Sequence, residues 1–166
     1  KIATIISQNA FQKYQNGNYD SAVEEYQRAI KVAPKFAPIY RNWGVMESYE
    51  NHLSEAIQLM EKASKIDNND PQIYLLWGNI YRKNGKFSDA NSKYEVAYKL
   101  TPKDPIVLNA LGQSNSRLGN YEKAHKLLAE SLTNSENFSS TKHAIITRTS
   151  ISENLINWGD MLARDK

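Results

Sequence analysis

Three histidines and one run of acidic and amide residues are the parts of this sequence that could hold a metal ion. His52, His125 and His143 are far apart, and none has a second ligand residue at the spacing that places both on one helix face. Residues 67–70 read Asp-Asn-Asn-Asp, like the start of a calcium loop, but the turn glycine and closing glutamate are absent and Pro71 follows. We therefore expect a capped turn at this run and no metal site in the chain.

Catalytic groups have no clear candidates either. The paired carboxylates of Glu24 and Glu25 lie among lysines and arginines, a pattern typical of a solvated helix face rather than of acid–base catalysis. The chain has no cysteine, which excludes thiolate nucleophiles, disulfides and cysteine-ligated zinc. It also lacks a glycine-rich phosphate loop, a nucleophile elbow and the protein-kinase signature. The sequence thus predicts a protein that is not an enzyme and binds no cofactor.

The composition is typical of a water-soluble globular protein. Of the 166 residues, 40% are hydrophobic and 23% are charged, and no apolar stretch approaches the roughly eighteen residues of a membrane-spanning helix. The formal net charge of +3 is small for a protein that binds nucleic acid. We expect a cytoplasmic protein without membrane contact. Because the chain begins at Lys1 without methionine, we also expect it to be an excerpt of a longer protein.

Small residues recur along the chain with a period of 34 residues. The recurring columns are Ala22, Ala56, Ala90 and Ala124; Gly44, Gly78 and Gly112; Gly17, Asn51, Gly85 and Gly119; and, among larger residues, Tyr26, Met60, Tyr94 and Leu128. Agreement over four units indicates a repeat architecture, in which neighbouring units stack because one unit alone cannot bury its apolar face.

Each repeated unit is predicted to contain two helices. Apolar residues recur at three- and four-residue spacing, which indicates amphipathic helices. The column that begins at Gly17 holds glycines and one asparagine, the residues that best adopt the left-handed conformation after a helix C-terminus. Asp70–Pro71 and Asp104–Pro105 combine an N-capping carboxylate with a proline that the first helical turn tolerates. Helix ends are therefore predicted at the glycine column, and helix starts at these aspartates.

The repeated unit resembles the tetratricopeptide repeat (TPR) family. In the best-matching unit, 71–104, the family's expected positions are occupied by Tyr74, Trp77, Gly78, Tyr81, Gly85, Phe87, Ala90, Tyr94, Ala97 and Pro102. Units at 3–36, 37–70 and 105–138 follow with substitutions. The resemblance implies an all-α, right-handed α-solenoid of helix-turn-helix repeats, with four units in residues 1–138.

Residues 139–166 depart from this pattern. The signature of a first helix, Leu155, Trp158 and Gly159, arrives thirteen residues late. One helical stripe holds Ile151, Leu155, Trp158 and Leu162. We therefore predict one long C-terminal helix that closes the array, with a short helix and a partial fifth repeat as the alternative. The end helix is also a candidate surface for self-association, and this stretch faintly resembles repeat regions attached to bacterial signalling or defence NTPases.

The resemblance also implies a binding surface, because the first helices of TPR units line a concave groove. The positions predicted to face it are Gln8, Phe11, Tyr14, Val45, Gln72 and Leu75, together with the candidate binding residues Arg41, Asn42, Tyr49, Asn79, Arg82, Lys83, Asn109, Gln113 and Arg117. These positions carry cations and amides but no acid. Amides can bond a peptide backbone and arginines can hold carboxylates, so the hypothesis is a protein–protein interaction module or scaffold that binds an extended, acidic peptide.

Other functions of helical repeats fit less well. Chaperone-binding members of the family use a carboxylate clamp, of which only Asn42 is present, with Ser7, Phe11, Gln72 and Leu76 at the other four positions. Binding of chaperone C-terminal tails is therefore not expected. Nucleic-acid binding would need a code-bearing repeat or a denser basic stripe. The alternative hypothesis is a ligand-sensing or regulatory repeat arm of a larger signalling or defence NTPase.

Overall fold

The computed structural model describes residues 2–137 and 141–164. The helices in these ranges are α1 Ile2–Gln15, α2 Tyr19–Val32, α3 Ala37–Tyr49, α4 Leu53–Ile66, α5 Pro71–Lys83, α6 Phe87–Leu100, α7 Pro105–Arg117, α8 Tyr121–Asn137 and α9 Thr141–Arg164. No strand occurs within the described ranges, so the all-α prediction is confirmed. The predicted domain boundary between residues 138 and 139 lies outside the described residues.

The chain divides into two compact units, residues 1–80 and residues 81–166, with the division inside α5. In the first unit, α1 packs on α2 and α3 packs on α4, and α1 also lies beside α3. In the second unit, α7 packs on α8, and α6 and α9 both contact α7. The closing helix α9 therefore lies beside α7 as α3 lies beside α1. We call α1, α3, α5 and α7 the first helices and α2, α4, α6 and α8 the second helices.

Left-handed backbone conformations follow the first helices. The φ angles are 81° at Gly17, 64° at Asn51, 72° at Gly85 and 81° at Gly119. After α1, the Asn18 N–H donates to the Lys13 carbonyl at 3.0 Å, which pairs an acceptor that the helix end leaves open. Glycine adopts this conformation without steric cost, and asparagine tolerates it better than other residues with a β-carbon. The helix ends predicted from this column are confirmed.

Aspartate caps begin two of the first helices. Asp70 accepts a hydrogen bond from the Gln72 N–H at 2.9 Å, and Asp104 accepts one from the Ile106 N–H at 2.7 Å. Each bond pairs a donor of the first turn that has no partner inside the helix. The helix starts predicted at these two aspartates are confirmed.

Small residues let the two helices of a hairpin approach closely. A Cβ at Gly44 would lie 3.1 Å from the Ala56 carbonyl oxygen, and a Cβ at Gly112 would lie 2.7 Å from Leu128 Cγ. Ala56 and Leu128 are fully buried. A larger residue at either glycine would force the facing helix or side chain to move. This explains why these columns of the repeat hold small residues.

One residue predicted to be solvated is buried instead. Glu25 is 9% exposed, and its Oε1 accepts hydrogen bonds from Lys13 Nζ and Arg28 Nη1, each at 2.8 Å. The hydrogen bond from Lys13, together with the charge of Arg28, lowers the pKa of Glu25. The prediction of a solvated pair is wrong for Glu25, because its partner Lys13 comes from α1 and cannot be read from spacing within α2.

The closing helix buries a small, mostly polar face. α9 is a single helix of 24 residues that packs on α7 and α8. Its buried residues are Ala144, Thr147, Ser150 and Asn154. Leu155 and Leu162, from the predicted apolar stripe, are 48% and 52% exposed. The predicted long closing helix is confirmed, but the stripe that suggested it is not the face that attaches it.

Candidate functional site

Side chains of α1, α3 and α5 line an open pocket of about 700 Å³ in the first unit. Its lining consists of Ser7, Gln8, Asn9, Phe11, Gln12, Gln15, Asn42, Val45 and Leu76. These are hydroxyl, carboxamide and apolar groups, and none of them is charged. Among the candidate binding residues, Asn42 belongs to this pocket, and its Nδ2 donates to Ser7 Oγ at 3.4 Å. The pocket therefore offers hydrogen-bond donors and acceptors around an apolar surface.

Two tyrosines stack at the C-terminal ends of α1 and α3. The ring centroids of Tyr14 and Tyr49 lie 6.5 Å apart, with 21° between the ring planes. Tyr14 Oη donates to Glu50 Oε1 at 2.7 Å, and burial, followed by this bond, raises the pKa of Tyr14 to about 12. Tyr49 is 57% exposed. The candidate residue Tyr49 thus presents part of its ring to solvent while Tyr14 supports it.

Arg41 is engaged in an ion pair within its own unit. Its Nη1 donates to Asp70 Oδ2 at 2.5 Å, and the two side chains are 21% and 19% exposed. The other oxygen of Asp70 caps α5, so the pair joins α3 to the start of α5. Asn79, further along α5, is half-buried. The positive charge predicted for the groove at Arg41 is therefore largely neutralised by Asp70.

A buried carboxylate near the end of α3 was not predicted as a functional or structural residue. Glu47 is 3% exposed and accepts hydrogen bonds from Tyr19 Oη at 2.9 Å and from Trp43 Nε1 at 2.6 Å. His52 Nδ1 lies 2.7 Å from Glu47 Oε2, and this hydrogen bond raises the pKa of His52. The sequence contains one signal for this site. Glu47 occupies the repeat column that holds Tyr81 in the best-matching unit, so a carboxylate stands where an aromatic residue is expected. The carboxylate joins α2, α3 and the following turn.

Two candidate residues of the second unit are covered by the closing helix. Asn109 is 6% exposed, and its Nδ2 donates to Thr147 Oγ1 of α9 at 3.0 Å. Gln113 Nε2 donates to Asn109 Oδ1 at 2.7 Å and to Ser150 Oγ of α9 at 2.8 Å. The amide groups of Asn109 and Gln113, which the groove hypothesis assigned to a ligand, therefore donate hydrogen bonds to α9 in this structure.

The remaining cationic candidates of the second unit are exposed: Arg82, Lys83 and Arg117. Burial raises the pKa of Tyr94, and the positive charge of Arg82, together with a hydrogen bond from it, partly offsets that rise. The Arg117 guanidinium carbon lies 5.9 Å from the centroid of the Phe87 ring, within the range of a cation–π contact. Both arginines are thus positioned by aromatic residues of their own unit while their side chains reach solvent.

Two other kinds of functional feature concern clustered metal-ligating side chains and helices that could span a membrane. Within residues 2–137 and 141–164, no group of three or more His, Asp or Glu side chains is arranged to hold a metal ion. No helix in this described part of the chain is both long and apolar enough to cross a bilayer.

Comparison with known proteins identifies the repeated hairpins. The family model for the TPR repeat matches residues 12–46 and 78–119. The chain carries tetratricopeptide repeats. No curated protein matches its sequence significantly. The predicted fold class, an all-α array of TPR hairpins with a long closing helix, is confirmed by these matches and by the helices described above.

Solved TPR structures share the fold of this TPR chain at low sequence identity. A structure of the MamA protein is 16% identical, with a TM-score of 0.69, and the match covers 98% of this chain and 91% of that chain. The Pseudomonas aeruginosa pilF structure is 17% identical, with a TM-score of 0.69 and coverage of 98% and 82%. The structure MamA MSR-1 C2 is 18% identical, with a TM-score of 0.65 and coverage of 81% and 78%.

The repeats support a general function. TPR repeats are generally non-catalytic modules for protein–protein interaction, so the TPR family match and the shared fold support a scaffold with protein partners. Which surface receives a partner depends on the side chains of this chain, because a fold alone does not define a ligand.

Proposed function

We propose that this TPR chain binds an extended polypeptide in the pocket of α1, α3 and α5, and that it acts as a scaffold rather than as an enzyme. The observation that carries the proposal is the lining of the 700 Å³ pocket. Carboxamide groups surround apolar side chains there, and no lining residue is charged. A carboxamide both donates and accepts hydrogen bonds, so it can pair with the N–H and C=O groups of an extended backbone. No catalytic step, cofactor or metal ion is part of the proposal.

Apolar groups of the pocket would receive a side chain of the bound peptide. Phe11 is 36% exposed, and Val45 and Leu76 line the same pocket. The volume lies within the roughly 300–1,000 Å³ that is usual for ligand pockets. The exposed Tyr49 ring, supported by Tyr14, adds a flat surface for a further side chain near the ends of α1 and α3.

We assign the acidic residues of the ligand to positions outside this pocket. The pocket holds no cation, and Arg41 is paired with Asp70. The exposed cations Arg82, Lys83 and Arg117 belong to the second unit, where they favour carboxylates on any segment that reaches them. Such contacts at an exposed surface are screened by salt, whereas the amide and apolar contacts of the pocket are not.

We do not propose the C-terminal tails of chaperones as ligands. Phe11 and Leu76 line the pocket where a carboxylate clamp requires polar or cationic side chains, and Ser7 supplies only a hydroxyl. The proposed location is the cytoplasm, with which a chain that has no cysteine is compatible.

A selection from a library of random linear peptides tests the proposal. The affinities of the enriched peptides are measured by fluorescence anisotropy for the wild type, Phe11→Ala, Asn42→Ala and the control Gln27→Ala, which lies exposed on α2. We expect each pocket substitution to weaken binding about tenfold, equivalent to roughly 1.4 kcal/mol, and the control to leave it unchanged. If no peptide is enriched, or if the enriched peptides bind both pocket variants as tightly as the wild type, the pocket is not the binding site.

The acidic character of the ligand has a separate test. Acid-rich peptides from the same selection should bind more weakly to Lys83→Gln and Arg117→Gln, and their affinity should fall as salt concentration rises. Equal enrichment of acidic and basic peptides, with no salt dependence, would contradict the acidic assignment and leave the pocket assignment intact.

A further inference from the structure

A smaller pocket lies between α7 and α9 in the second unit, with a volume of about 300 Å³. The residues that α9 contributes recur at helical spacing, on the opposite side of that helix from the exposed Leu155 and Leu162. The walls of the pocket are therefore two helices of the described chain. Its polar lining consists of Gln113, Ser116 and Arg117 from α7 and Ser150, Glu153 and Asn157 from α9.

Arg117 and Glu153 bring opposite charges to this pocket. Both residues are exposed, and within residues 2–137 and 141–164 neither side chain forms a hydrogen bond or an ion pair. Arg41 of the first unit differs, because its charge is neutralised by Asp70. The pocket between α7 and α9 thus offers a ligand one group of N–H donors and one carboxylate acceptor.

An aromatic ring positions the arginine of this pocket. The Arg117 guanidinium carbon lies 5.9 Å from the centroid of the Phe87 ring. A cation–π contact attracts the charge of the guanidinium group without using any of its five N–H donors. Arg117 is therefore held near the pocket with donors that can form a two-point contact with a carboxylate.

Hydrogen bonds between the two helices fix the most buried part of the lining. Gln113 Nε2 donates to Ser150 Oγ at 2.8 Å and to Asn109 Oδ1 at 2.7 Å. Ser150 is 6% exposed, and its Oγ donates to the Ile146 carbonyl at 3.0 Å. Ile156 adds an apolar side chain to the same pocket. Because these bonds already join α7 to α9, a ligand would bind without first ordering the pocket.

We propose that this pocket binds a small zwitterionic molecule of amino-acid or dipeptide size, with its carboxylate on Arg117 and its ammonium group on Glu153. The volume of about 300 Å³ is at the lower end of the range usual for ligand pockets, which favours a small molecule. Glu153 repels a ligand that is only anionic and Arg117 repels one that is only cationic, so the pair selects a molecule with both charges.

This inference does not rest on the proposed function. The pocket of α1, α3 and α5 belongs to the first unit, and an acidic segment that reaches Arg117 requires neither Glu153 nor the cavity beside it. Loss of peptide binding in Phe11→Ala or Asn42→Ala therefore says nothing about the zwitterion, and the two proposals can fail separately.

NMR titration of the isotope-labelled chain tests the proposal. The probes are the common L-amino acids and the dipeptide glycyl-leucine. Each probe that binds is compared with its N-acetylated form, which lacks the ammonium group, and with its C-terminal amide, which lacks the carboxylate. The test variants are Arg117→Gln and Glu153→Gln, and the control variants are Arg148→Gln and Glu130→Gln, at exposed positions outside the pocket. Circular dichroism and a urea midpoint show whether each variant keeps the fold.

We expect saturable shift changes at residues 113–117 and 150–157 with at least one zwitterion, and binding about tenfold weaker or more for both of its blocked forms. Glu153→Gln should bind the acetylated form as tightly as the zwitterion, and Arg117→Gln should do the same with the amide. The control variants should bind like the wild type.

Four results would overturn the proposal. They are the absence of saturable binding by every probe, shift changes confined to other residues, equal binding of a blocked form by the wild type, and unchanged binding of the zwitterion by both test variants. The comparison of blocked forms uses the wild type alone, so it decides the question even if a variant fails to fold.

Discussion

Replacing Glu47 with glutamine removes one acceptor from a buried cluster while keeping the size of the side chain. The carboxylate accepts from Tyr19 Oη at 2.9 Å and from Trp43 Nε1 at 2.6 Å, and it lies 2.7 Å from His52 Nδ1. Its side chain is 4% exposed, so water cannot readily take the place of a lost partner. In Glu47→Gln, one carboxylate oxygen becomes an NH₂ group that faces a donor.

The expected loss follows from what each partner can do instead. Tyr19 can rotate its hydroxyl to accept a hydrogen bond, and the His52 side chain is 47% exposed and can bond to water. Trp43 Nε1 can only donate, so it must keep the remaining carbonyl oxygen or lose its bond. A buried donor or acceptor left unpaired costs about 1–3 kcal/mol, and we expect Glu47→Gln to lower the free energy of unfolding by that amount.

Urea denaturation followed by circular dichroism measures this loss. The matched control is Glu50→Gln, because Glu50 is exposed and accepts one hydrogen bond, from Tyr14, at 2.7 Å. We expect the control to change stability by less than about 0.5 kcal/mol, as surface substitutions usually do. If Glu47→Gln proves as mild as Glu50→Gln, the cluster does not stabilise the first unit and our reasoning is refuted.

The same cluster makes stability depend on pH through His52. The hydrogen bond to Glu47 raises the pKa of His52 from 6.5, so the folded chain binds this proton more tightly than the unfolded chain does. The stabilisation is therefore fully present below the unfolded pKa and is lost as pH rises through the folded pKa. The urea midpoint of the wild type should fall as pH rises above the unfolded value of 6.5, and this fall should disappear in His52→Gln. An identical pH profile for the wild type and His52→Gln would exclude this contribution.

Three further experiments test the packing at two glycines, one helix cap and one hydrogen bond. Gly112→Ala should destabilise the chain by about 1–3 kcal/mol, because its Cβ would lie 2.7 Å from a leucine carbon of α8, whereas Gly159→Ala should stabilise it by up to about 1 kcal/mol. Urea midpoints that move in the same direction would contradict this. Asp104→Ala should cost about 1 kcal/mol through loss of the cap of α7, and an unchanged midpoint would show that the cap is unimportant. A double-mutant cycle of Asn109→Ala and Thr147→Val should give a coupling of about 0.5–1.5 kcal/mol for their 3.0 Å bond, and zero coupling would contradict that contact.

Contacts that repeat every 34 residues could be predicted from the sequence alone. Gly44 and Gly112 each meet an alanine and a long apolar side chain of the helix they pack against, so the residue type recurs and a single chain reveals the constraint. The left-handed turns and the aspartate caps are local for a similar reason, since each is decided by a few adjacent residues and by backbone geometry. The fold class and the helix ends therefore followed from residue types and spacing.

Contacts that occur once could be found only in the tertiary structure. The pairing of Arg41 with Asp70, the burial of Glu25 by Lys13 and the hydrogen bond from Tyr19 to Glu47 join residues of different elements that no column relates. The register of α9 against α7 is another case, because the first-helix signature in α9 arrives thirteen residues late and does not show which face is buried. The candidate groove in the second unit is therefore covered at Asn109 and Gln113, while Leu155 and Leu162 of the apolar stripe of α9 face solvent. The physical reason is that spacing along one helix specifies which residues share a face, but only packing decides what that face meets.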